Sequence, residues 1–153
     1  MAESVKVGDL APNFALFSEK DEAVELQDYI GKKPIVLFFY PKNNTMLCTK
    51  EVCHFRDNFG EFKNIYDAEL IGISSDSIDS HKEFAEANNL PFTLLSDPDN
   101  DVRREYGVPK TLRIVPGRVT YVIDKKGIVR HIFSSQLNYK GHVKEALSAL
   151  KSL

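Results

Sequence analysis

The fold of this chain is governed by residues 35–48, which read IVLFFYPKNNTMLC. The first six residues are an unbroken apolar run rich in branched and aromatic side chains, which is typical of a strand buried on both faces. Pro41 cannot donate a backbone hydrogen bond, so it ends this strand. Thr45 is a good N-cap for a following helix, which places Cys48 in the first helical turn among unpaired backbone N–H groups. This environment favours a thiolate.

The segment after Cys48 has the periodicity of a helix that packs on a sheet. One stripe of this helix carries Cys48 together with apolar side chains: Val52, Phe55, Phe59 and Phe62. Cys53, the only other cysteine, lies about 140° around the helix from Cys48. An ideal helix would hold their Cα atoms farther apart than the roughly 7 Å that a disulfide tolerates. A Cys48–Cys53 disulfide therefore requires local unwinding, unlike a Cys-x-x-Cys pair, whose partners lie one turn apart.

The composition predicts one soluble domain spanning residues 1–153. The length suffices to bury a core without disulfides, and the formal net charge is −2. No basic stripe interleaved with aromatic residues occurs, which argues against nucleic-acid binding, and no apolar run is long enough for a membrane span. The first six residues contain no apolar signal segment, so we expect a cytoplasmic protein. Two cysteines in a reducing compartment indicate catalysis or redox sensing rather than a permanent bridge.

Strand and helix patterns alternate along the rest of the chain, which predicts an α/β fold with helices on a mostly parallel sheet. The predicted strands are residues 69–74, 92–95, 119–124 and 128–133, of which the last two form a hairpin. The predicted helices are residues 78–89, with Phe84 and Ala87 facing inward, and residues 101–106, closed by Gly107. A C-terminal helix follows with an apolar face of Val143, Leu147 and Leu150.

The sequence gives no sign of a bound cofactor or metal. It contains no glycine-rich phosphate loop, so we expect no nucleotide cofactor. Its four histidines are dispersed: His54, His81, His131 and His142. None has a metal-ligand spacing to Cys48 or Cys53, and we expect all four at the surface, solvated or hydrogen-bonded.

Residues 40–57 resemble the active-site segment of the peroxiredoxins, and most closely that of the bacterioferritin comigratory protein (PrxQ-type) subgroup. The specific element is Pro-x-x-x-Thr-x-x-Cys, formed here by Pro41, Thr45 and Cys48. Further similar segments follow in the same order along nearly the whole chain. They are residues 8–14 (GDLAPNF), 72–74 (GIS), 80–82 (SHK), 90–92 (LPF), 95–97 (LSD), 106–108 (YGV) and 117–124 (GRVTYVID). So many segments in one order argue against a chance match.

The resemblance implies a thioredoxin-like fold with a central mixed sheet flanked by helices, and a thiol peroxidase of the atypical two-cysteine kind. Cys48 would be the peroxidatic cysteine that becomes a sulfenic acid, and Cys53 the resolving cysteine of an intramolecular disulfide. Thr45, Arg118 and Pro41 would form the pocket for hydrogen peroxide or an organic hydroperoxide. A thioredoxin or glutaredoxin-like donor would reduce the disulfide. The lack of a C-terminal cysteine rules out an intersubunit disulfide of the typical class and favours a monomer.

Each of these residues also has a plain structural interpretation. Thr45 suits an N-cap, Pro41 a strand terminator, and Cys53 a small buried apolar residue. Arg118 can be interpreted as an arginine at a strand end whose side chain is solvated or paired with a carboxylate. Glu51 could steady Arg118 or Thr45 through a hydrogen bond, but a glutamate on a helix surface needs no function, so we leave it outside the catalytic set.

The chain departs from the subgroup at Met46-Leu47, where Pro-Gly is usual. A more apolar rim there predicts a preference for bulkier hydroperoxides.

Two other functions stay open. One is a thiol-disulfide oxidoreductase, against which the absence of Cys-x-x-Cys counts. The other is a peroxide-sensing redox switch or holdase, in which disulfide formation unwinds the helix and exposes Val52 and Phe55.

Overall fold

The computed structural model describes residues 4–111 and 115–153, so the first three residues of the N-terminal segment considered above lie outside it. The strands are β1 Ala15–Ser18, β2 Ala23–Glu25, β3 Ile35–Phe39, β4 Glu69–Ser74, β5 Thr93–Ser96, β6 Lys110–Thr111, β7 Val115–Pro116, β8 Val119–Ile123 and β9 Val129–Ser134. The helices are α1 Met46–Asp57, α2 Ile78–Asn88, α3 Asp101–Tyr106 and α4 Tyr139–Lys151. A 3-10 turn spans Leu26–Asp28 and a π-helical turn spans Glu61–Ile65.

Seven of the described strands form one sheet in the order β2-β1-β5-β4-β3-β8-β9, and β6 pairs with β7 separately. Among the described strands, only the central pairs β3–β4 and β4–β5 are parallel. The expectation of a mostly parallel sheet is therefore wrong, because the β8–β9 hairpin adds antiparallel strands beside β3 and the β1–β2 hairpin does so beside β5. The mixed sheet implied by the resemblance is confirmed.

Strand β3 lies in the interior of the sheet and is buried on both faces, as its apolar run predicts. All five of its side chains are 0% exposed. Val36 and Phe38 point to the face covered by α1, α2 and α4, where the Phe38 and Phe55 rings stack with centroids 4.2 Å apart. The alternate residues point to the opposite face, where Phe39 packs on Tyr106 of α3. The period of two along a strand produces these two cores.

The predicted elements are present with small shifts at their ends. Helix α3 has the predicted bounds and ends at Gly107, whose φ of 69° is the left-handed geometry that favours glycine. Helix α1 ends at Asp57, so the predicted stripe runs on into the π-helical turn, where Phe62 is fully buried. The hairpin β1–β2 was not predicted, because its strands are short and largely exposed.

The inward face of α2 differs from the prediction. Phe84 is buried as expected, but Ala87 is exposed. The helix instead turns His81 into the core, where a ring nitrogen lies 2.9 Å from the carbonyl oxygen of Leu95. Ala87 lies about 120° around the helix from His81, so fixing His81 inward moves Ala87 to the solvent side.

Candidate active site

The strand–loop–helix unit of residues 35–57 carries Cys48 at the N-terminal end of α1. The loop after β3 turns at Asn44, whose φ of 64° is left-handed, and α1 then begins at Met46. Cys48 is the third residue of this helix, is 1% exposed and is a free thiol. The predicted first-turn position of Cys48 is confirmed. Backbone N–H groups of this turn have no helical acceptor, so they favour negative charge at the sulfur and at any oxygen bound beside it.

Thr45 occupies the predicted N-cap position, but its side chain does not cap the helix. Its hydroxyl instead donates a hydrogen bond of 2.8 Å to the carbonyl oxygen of Lys42. Thr45 is exposed, and its hydroxyl oxygen keeps its lone pairs because its hydrogen is used within the loop. The hydroxyl is thus fixed to the loop and can still accept a hydrogen bond. Pro41 follows the strand end and is half-buried.

Arg118 reaches Cys48 because of the register of two neighbouring strands. Phe39 of β3 lies opposite Val119 of β8, so the residue before β8 lies beside the chain that leaves β3. Arg118 Nη1 lies 3.2 Å from Cys48 Sγ and 3.0 Å from Glu51 Oε1, and Nε donates to the carbonyl oxygen of Gln136. Burial disfavours the charged guanidinium, but Glu51 and Cys48 outweigh burial, and the pKa of Arg118 lies above its usual value.

Gly117 lets the Arg118 backbone approach the neighbouring loop. A Cβ atom at Gly117 would collide with the carbonyl oxygen of Pro109, so a larger residue there would displace the chain that presents Arg118.

Glu51 is a site residue that sequence reasoning placed on the helix surface. It is 0% exposed, and the hydrogen bond to Arg118 that was one of its two expected roles is present. Burial raises the pKa of Glu51 to about 7, against the opposing effect of Arg118. The signal that could have found it is its spacing: Glu51 follows Cys48 by three residues, so both share one face of α1.

Arg103 is a second buried arginine that sequence reasoning missed. It is 4% exposed, and its guanidinium donates hydrogen bonds of 2.7 Å and 2.8 Å to the carbonyl oxygens of Gly117 and Tyr40. Its backbone N–H donates to a carboxylate oxygen of Asp97. Arg103 therefore ties the end of β3 to the segment that carries Arg118. Arg103 and the adjacent Arg104 look alike in the sequence, so the sequence does not show that Arg103 is buried and Arg104 exposed.

A polar network holds the loop between β3 and α1 in place. The Tyr40 hydroxyl donates to Asn43 Oδ1 at 2.6 Å, and the Asn43 backbone N–H donates to Asp76 at 2.8 Å. The Asn43 side-chain amide lies 3.0 Å from His81 Nδ1. These contacts connect the loop to α2 and to the segment between β4 and α2, so they fix the chain two residues before Thr45.

The expectation that all four histidines lie at the surface is wrong for two of them. His81 and His142 are both 0% exposed. Each is tolerated in the core because a ring nitrogen bonds to a backbone carbonyl oxygen, that of Leu95 for His81 and that of Ser135 for His142.

Cys53 lies one and a half turns along α1, away from Cys48, and is half-buried. Its thiol donates to Asn88 Oδ1 at 3.5 Å, and burial raises its pKa. Both cysteines are free thiols and α1 is continuous through them. The structure is that of the dithiol state, in which the two cysteines are held apart by an intact helix.

Metal binding and membrane insertion are two further functions on which the described residues bear. Within residues 4–111 and 115–153 no group of three or more His, Cys, Asp or Glu side chains has a geometry that could hold a metal ion. No helix in those ranges is long and apolar enough to cross a membrane.

Comparisons with known proteins agree on one family. Residues 7–132 match the AhpC/TSA family. Peroxiredoxin Q of Oryza sativa subsp. japonica, a chloroplastic protein, is 48% identical over 150 residues, which are 97% of this chain and 68% of that protein. The crystal structure of peroxidoxin BcpB from Mycobacterium tuberculosis superposes with a TM-score of 0.88 at 35% identity, covering 97% of each chain.

A bacterioferritin comigratory protein of Xanthomonas campestris, described by its alkyl peroxide reduction activity, gives a TM-score of 0.82 at 27% identity, covering 91% of this chain and 90% of the other. The thioredoxin-like fold implied by the resemblance is thereby confirmed.

Proposed function

This chain belongs to the AhpC/TSA family and is a thiol-dependent peroxidase of the peroxiredoxin type, and we propose that Cys48 is its peroxidatic cysteine. The observation that carries the proposal is the 3.2 Å contact between Arg118 Nη1 and Cys48 Sγ at the first turn of α1. An arginine is charged at any physiological pH, so it supports the thiolate, which is the nucleophilic form.

The proposed reaction is nucleophilic attack on the peroxide O–O bond. The Cys48 thiolate forms an S–O bond to the terminal oxygen while the O–O bond breaks, and the departing hydroxide or alkoxide takes up a proton to leave as water or alcohol. Thr45 accepts a hydrogen bond from the peroxide hydroxyl, and Arg118 and the first-turn N–H groups stabilise the charge that develops on the oxygens. Pro41 shields the sulfur from bulk water.

We assign Cys53 as the resolving cysteine. Its thiol would attack the Cys48 sulfenic sulfur, forming the disulfide while the hydroxyl leaves with the thiol proton as water. In the dithiol state this attack is blocked, because α1 is continuous and the Cys53 thiol is held on Asn88. Unwinding of the first turns of α1 is therefore part of the proposed cycle. A thioredoxin or glutaredoxin-like donor then reduces the disulfide.

We propose the class of peroxide that the site accepts from the residues at its rim. Met46 is the first residue of α1 and is 75% exposed, which places a flexible apolar side chain two residues from the peroxidatic sulfur. We propose that organic hydroperoxides are accepted alongside hydrogen peroxide, as for the Xanthomonas protein described by its alkyl peroxide reduction activity. A wide preference for hydrogen peroxide over alkyl hydroperoxides would contradict this assignment.

Two further assignments concern the oligomeric state of the protein and its location. An intramolecular disulfide needs no second subunit, so we propose a monomer, which light scattering during size-exclusion chromatography tests directly. The cytoplasmic location stays a prediction, to be checked by fractionation, since the plant relatives are named as chloroplastic proteins.

The test of the cysteine assignment is the rate of oxidation by stoichiometric hydrogen peroxide, followed by intact mass, for three forms of the protein. Wild type should react orders of magnitude faster than a free thiol and lose two hydrogens within one chain. Cys53→Ser should react equally fast but stop with one added oxygen, and Cys48→Ser should react slowly. A wild-type rate like that of free cysteine would overturn the peroxidase assignment of Cys48.

A further inference from the structure

The side of α1 that carries Cys53 contacts the C-terminal end of α2. Cys53 and Arg56 are three residues apart in α1, so they share one side of the helix. The Cys53 thiol lies 3.5 Å from Asn88 Oδ1, and Arg56 Nη1 donates a hydrogen bond of 2.8 Å to the Asn88 carbonyl oxygen. Both contacts are made to Asn88, the last residue of α2. Asn88 is therefore a point at which the second half of α1 is fastened to α2.

The hydrogen bonds of Asn88 decide which of its side-chain atoms faces Cys53. Its Nδ2 lies 2.9 Å from the carbonyl oxygen of Phe84, one turn earlier in α2. A carbonyl oxygen only accepts, so the amide nitrogen has to point there, and Oδ1 is left facing the sulfur. An amide oxygen accepts a hydrogen bond from a thiol S–H but repels a thiolate. The contact with Asn88 thus favours the protonated form of Cys53, which is the form that does not attack.

The two cysteines of α1 therefore have opposite surroundings. Cys48 Sγ has a charged donor, Arg118 Nη1, at 3.2 Å. Cys53 Sγ has a neutral acceptor, and burial raises the pKa of its thiol. The nearby Arg56 opposes this rise in pKa, and its ion-pair partner Asp57 adds to it. While the helix is intact, its surroundings favour a thiolate at Cys48 and a thiol at Cys53.

Arg56 holds the main chain of Asn88 in place. The Asn88 carbonyl lies at the end of α2, where the helix has no further N–H group to donate to it, and a cation there also interacts favourably with the helix dipole. The Arg56 Nε donates to Asp57 Oδ1 at 3.0 Å, so the guanidinium is fixed between two partners. Arg56 acts on the Cys53 sulfur through Asn88 and is a positioning residue.

We propose that Asn88 and Arg56 form a latch that holds Cys53 as a thiol on the intact helix α1, and that release of this latch limits how fast Cys53 reaches the oxidised Cys48. The Cys53 thiol has to leave Asn88 Oδ1 before it attacks, since the regular helix holds the two sulfurs on different sides. The inference rests on the proposed function in treating Cys48 as the peroxidatic and Cys53 as the resolving cysteine.

The latch affects the fate of the Cys48 sulfenic acid. Attack by Cys53 forms the S–S bond, and the sulfenic hydroxyl leaves with the thiol proton as water. In competition, a second hydrogen peroxide molecule transfers one oxygen to the same sulfur, which gives a sulfinic acid and water. Slow release of Cys53 lengthens the time for which the sulfenic acid is open to this second reaction. A weaker latch should therefore give more disulfide and less sulfinic acid.

The experiment is rapid-quench oxidation of the full chain by hydrogen peroxide, with intact mass giving the amounts of sulfenic acid, disulfide and sulfinic acid at each time. Asn88→Ala removes the acceptor, and alanine is a good helix former, so α2 should stay folded. Loss of one hydrogen bond should speed disulfide formation about three- to tenfold and lower the ratio of sulfinic acid to disulfide by the same factor. Arg56→Met should change both in the same direction. Glu86→Ala, an exposed position in the same turn of α2, is the control and should change neither.

The rate of disulfide formation decides the proposal. Equal rates in wild type and Asn88→Ala, or an equal acceleration in Glu86→Ala, would overturn it. Failure of the peroxidase assignment looks different, because Cys48 would then be oxidised slowly in every form.

A second measurement uses no peroxide. In Cys48→Ser the only remaining thiol is that of Cys53. Adding Asn88→Ala to this protein removes the acceptor that favours the thiol form, so alkylation by iodoacetamide should become about threefold faster or more. An unchanged alkylation rate also counts against the latch.

Discussion

Arg118 and Arg103 are both buried near Cys48, but they contact different kinds of atoms. Arg118 directs its Nη1 at a sulfur and a carboxylate, so its charge acts on two side chains that can become anionic. Arg103 donates to two main-chain carbonyls, those of Tyr40 and Gly117, which lie at the end of β3 and before β8. Its planar fork spans both carbonyls at once, which a lysine could not reproduce. Arg103 thus sets the spacing between the chain segments from which the pocket is built.

At this scale we predict that Arg103→Met costs about 2–4 kcal/mol of folding stability, because two buried carbonyl oxygens lose their donors. The folded fraction should also be oxidised by peroxide roughly 10- to 100-fold more slowly, because Arg118 is no longer held at its distance from Cys48. Urea unfolding and stopped-flow oxidation measure the two effects. Arg104→Met in the same helix is the control, since that side chain is 63% exposed and should change neither. A folded Arg103→Met protein that reacts at the wild-type rate would remove the positioning role.

The proposed cycle requires that helix α1 be intact in the dithiol state and partly lost in the disulfide state. Its core contacts are strong: Val52 and Phe55 are 0% exposed, and Phe55 stacks on Phe38 of β3. A disulfide between residues 48 and 53 cannot form on a regular helix, so the proposed oxidation has to draw the first turns of α1 away from this packing. In the proposed cycle, the free energy for that change comes from reduction of the peroxide.

We predict that oxidation by one equivalent of peroxide abolishes amide-exchange protection in the first turns of α1, while protection in α2 is kept. Hydrogen exchange followed by mass spectrometry compares the reduced and oxidised proteins peptide by peptide. Cys53→Ser treated in the same way is the matched control, because it stops before the disulfide and should keep α1 protected. Full protection of α1 in oxidised wild type would exclude the unwinding step, and with it the exposure of Val52 and Phe55 that a redox switch would use.

The elements were predictable where the signal is local. The apolar run of β3, the stop at Pro41 and the turn at Gly107 each act through nearest neighbours, and they gave correct elements. The inward face of α2 was wrong at Ala87 because its rotation is set by His81, whose acceptor is the Leu95 carbonyl in another strand. Burial of a polar side chain depends on a partner that the local pattern does not contain.

At the scale of the whole molecule, the site exists because the sheet is mixed. In a parallel sheet, the strand beside β3 would end at the same edge as β3. The antiparallel β8 instead begins at this edge, and it brings Arg118 to Cys48, from which it is 70 positions away in the sequence. Periodicity could not predict that contact; the family resemblance did. The burial of Glu51 and His142 followed from neither, because it depends on how α1 and α4 pack against each other over β8.

This packing has a consequence for how stability depends on pH. The folded pKa of Glu51 is raised from 4.5 to about 7, so the folded state holds the extra proton and stability falls as the pH rises between those values. The folded pKa of His142 is lowered from 6.5 to about 4, so the unfolded state holds the extra proton and stability rises over nearly the same range. Each effect amounts to about 3 kcal/mol, and in wild type the two oppose each other.

Single substitutions should separate these two opposing contributions. Relative to wild type, Glu51→Gln removes the falling contribution, so its unfolding free energy should increase by up to about 3 kcal/mol between pH 4.5 and pH 7. His142→Leu removes the rising contribution and should lose a similar amount over the same interval. Urea unfolding at a series of pH values gives both curves, and subtracting wild type cancels the groups that all three proteins share, such as His81. If instead both difference curves are flat, Glu51 and His142 do not exchange protons with solvent on folding. The double variant tests whether the two groups are coupled: because Nδ1 of His142 lies 3.6 Å from Glu51 Oε2, its curve should depart from the sum of the single variants.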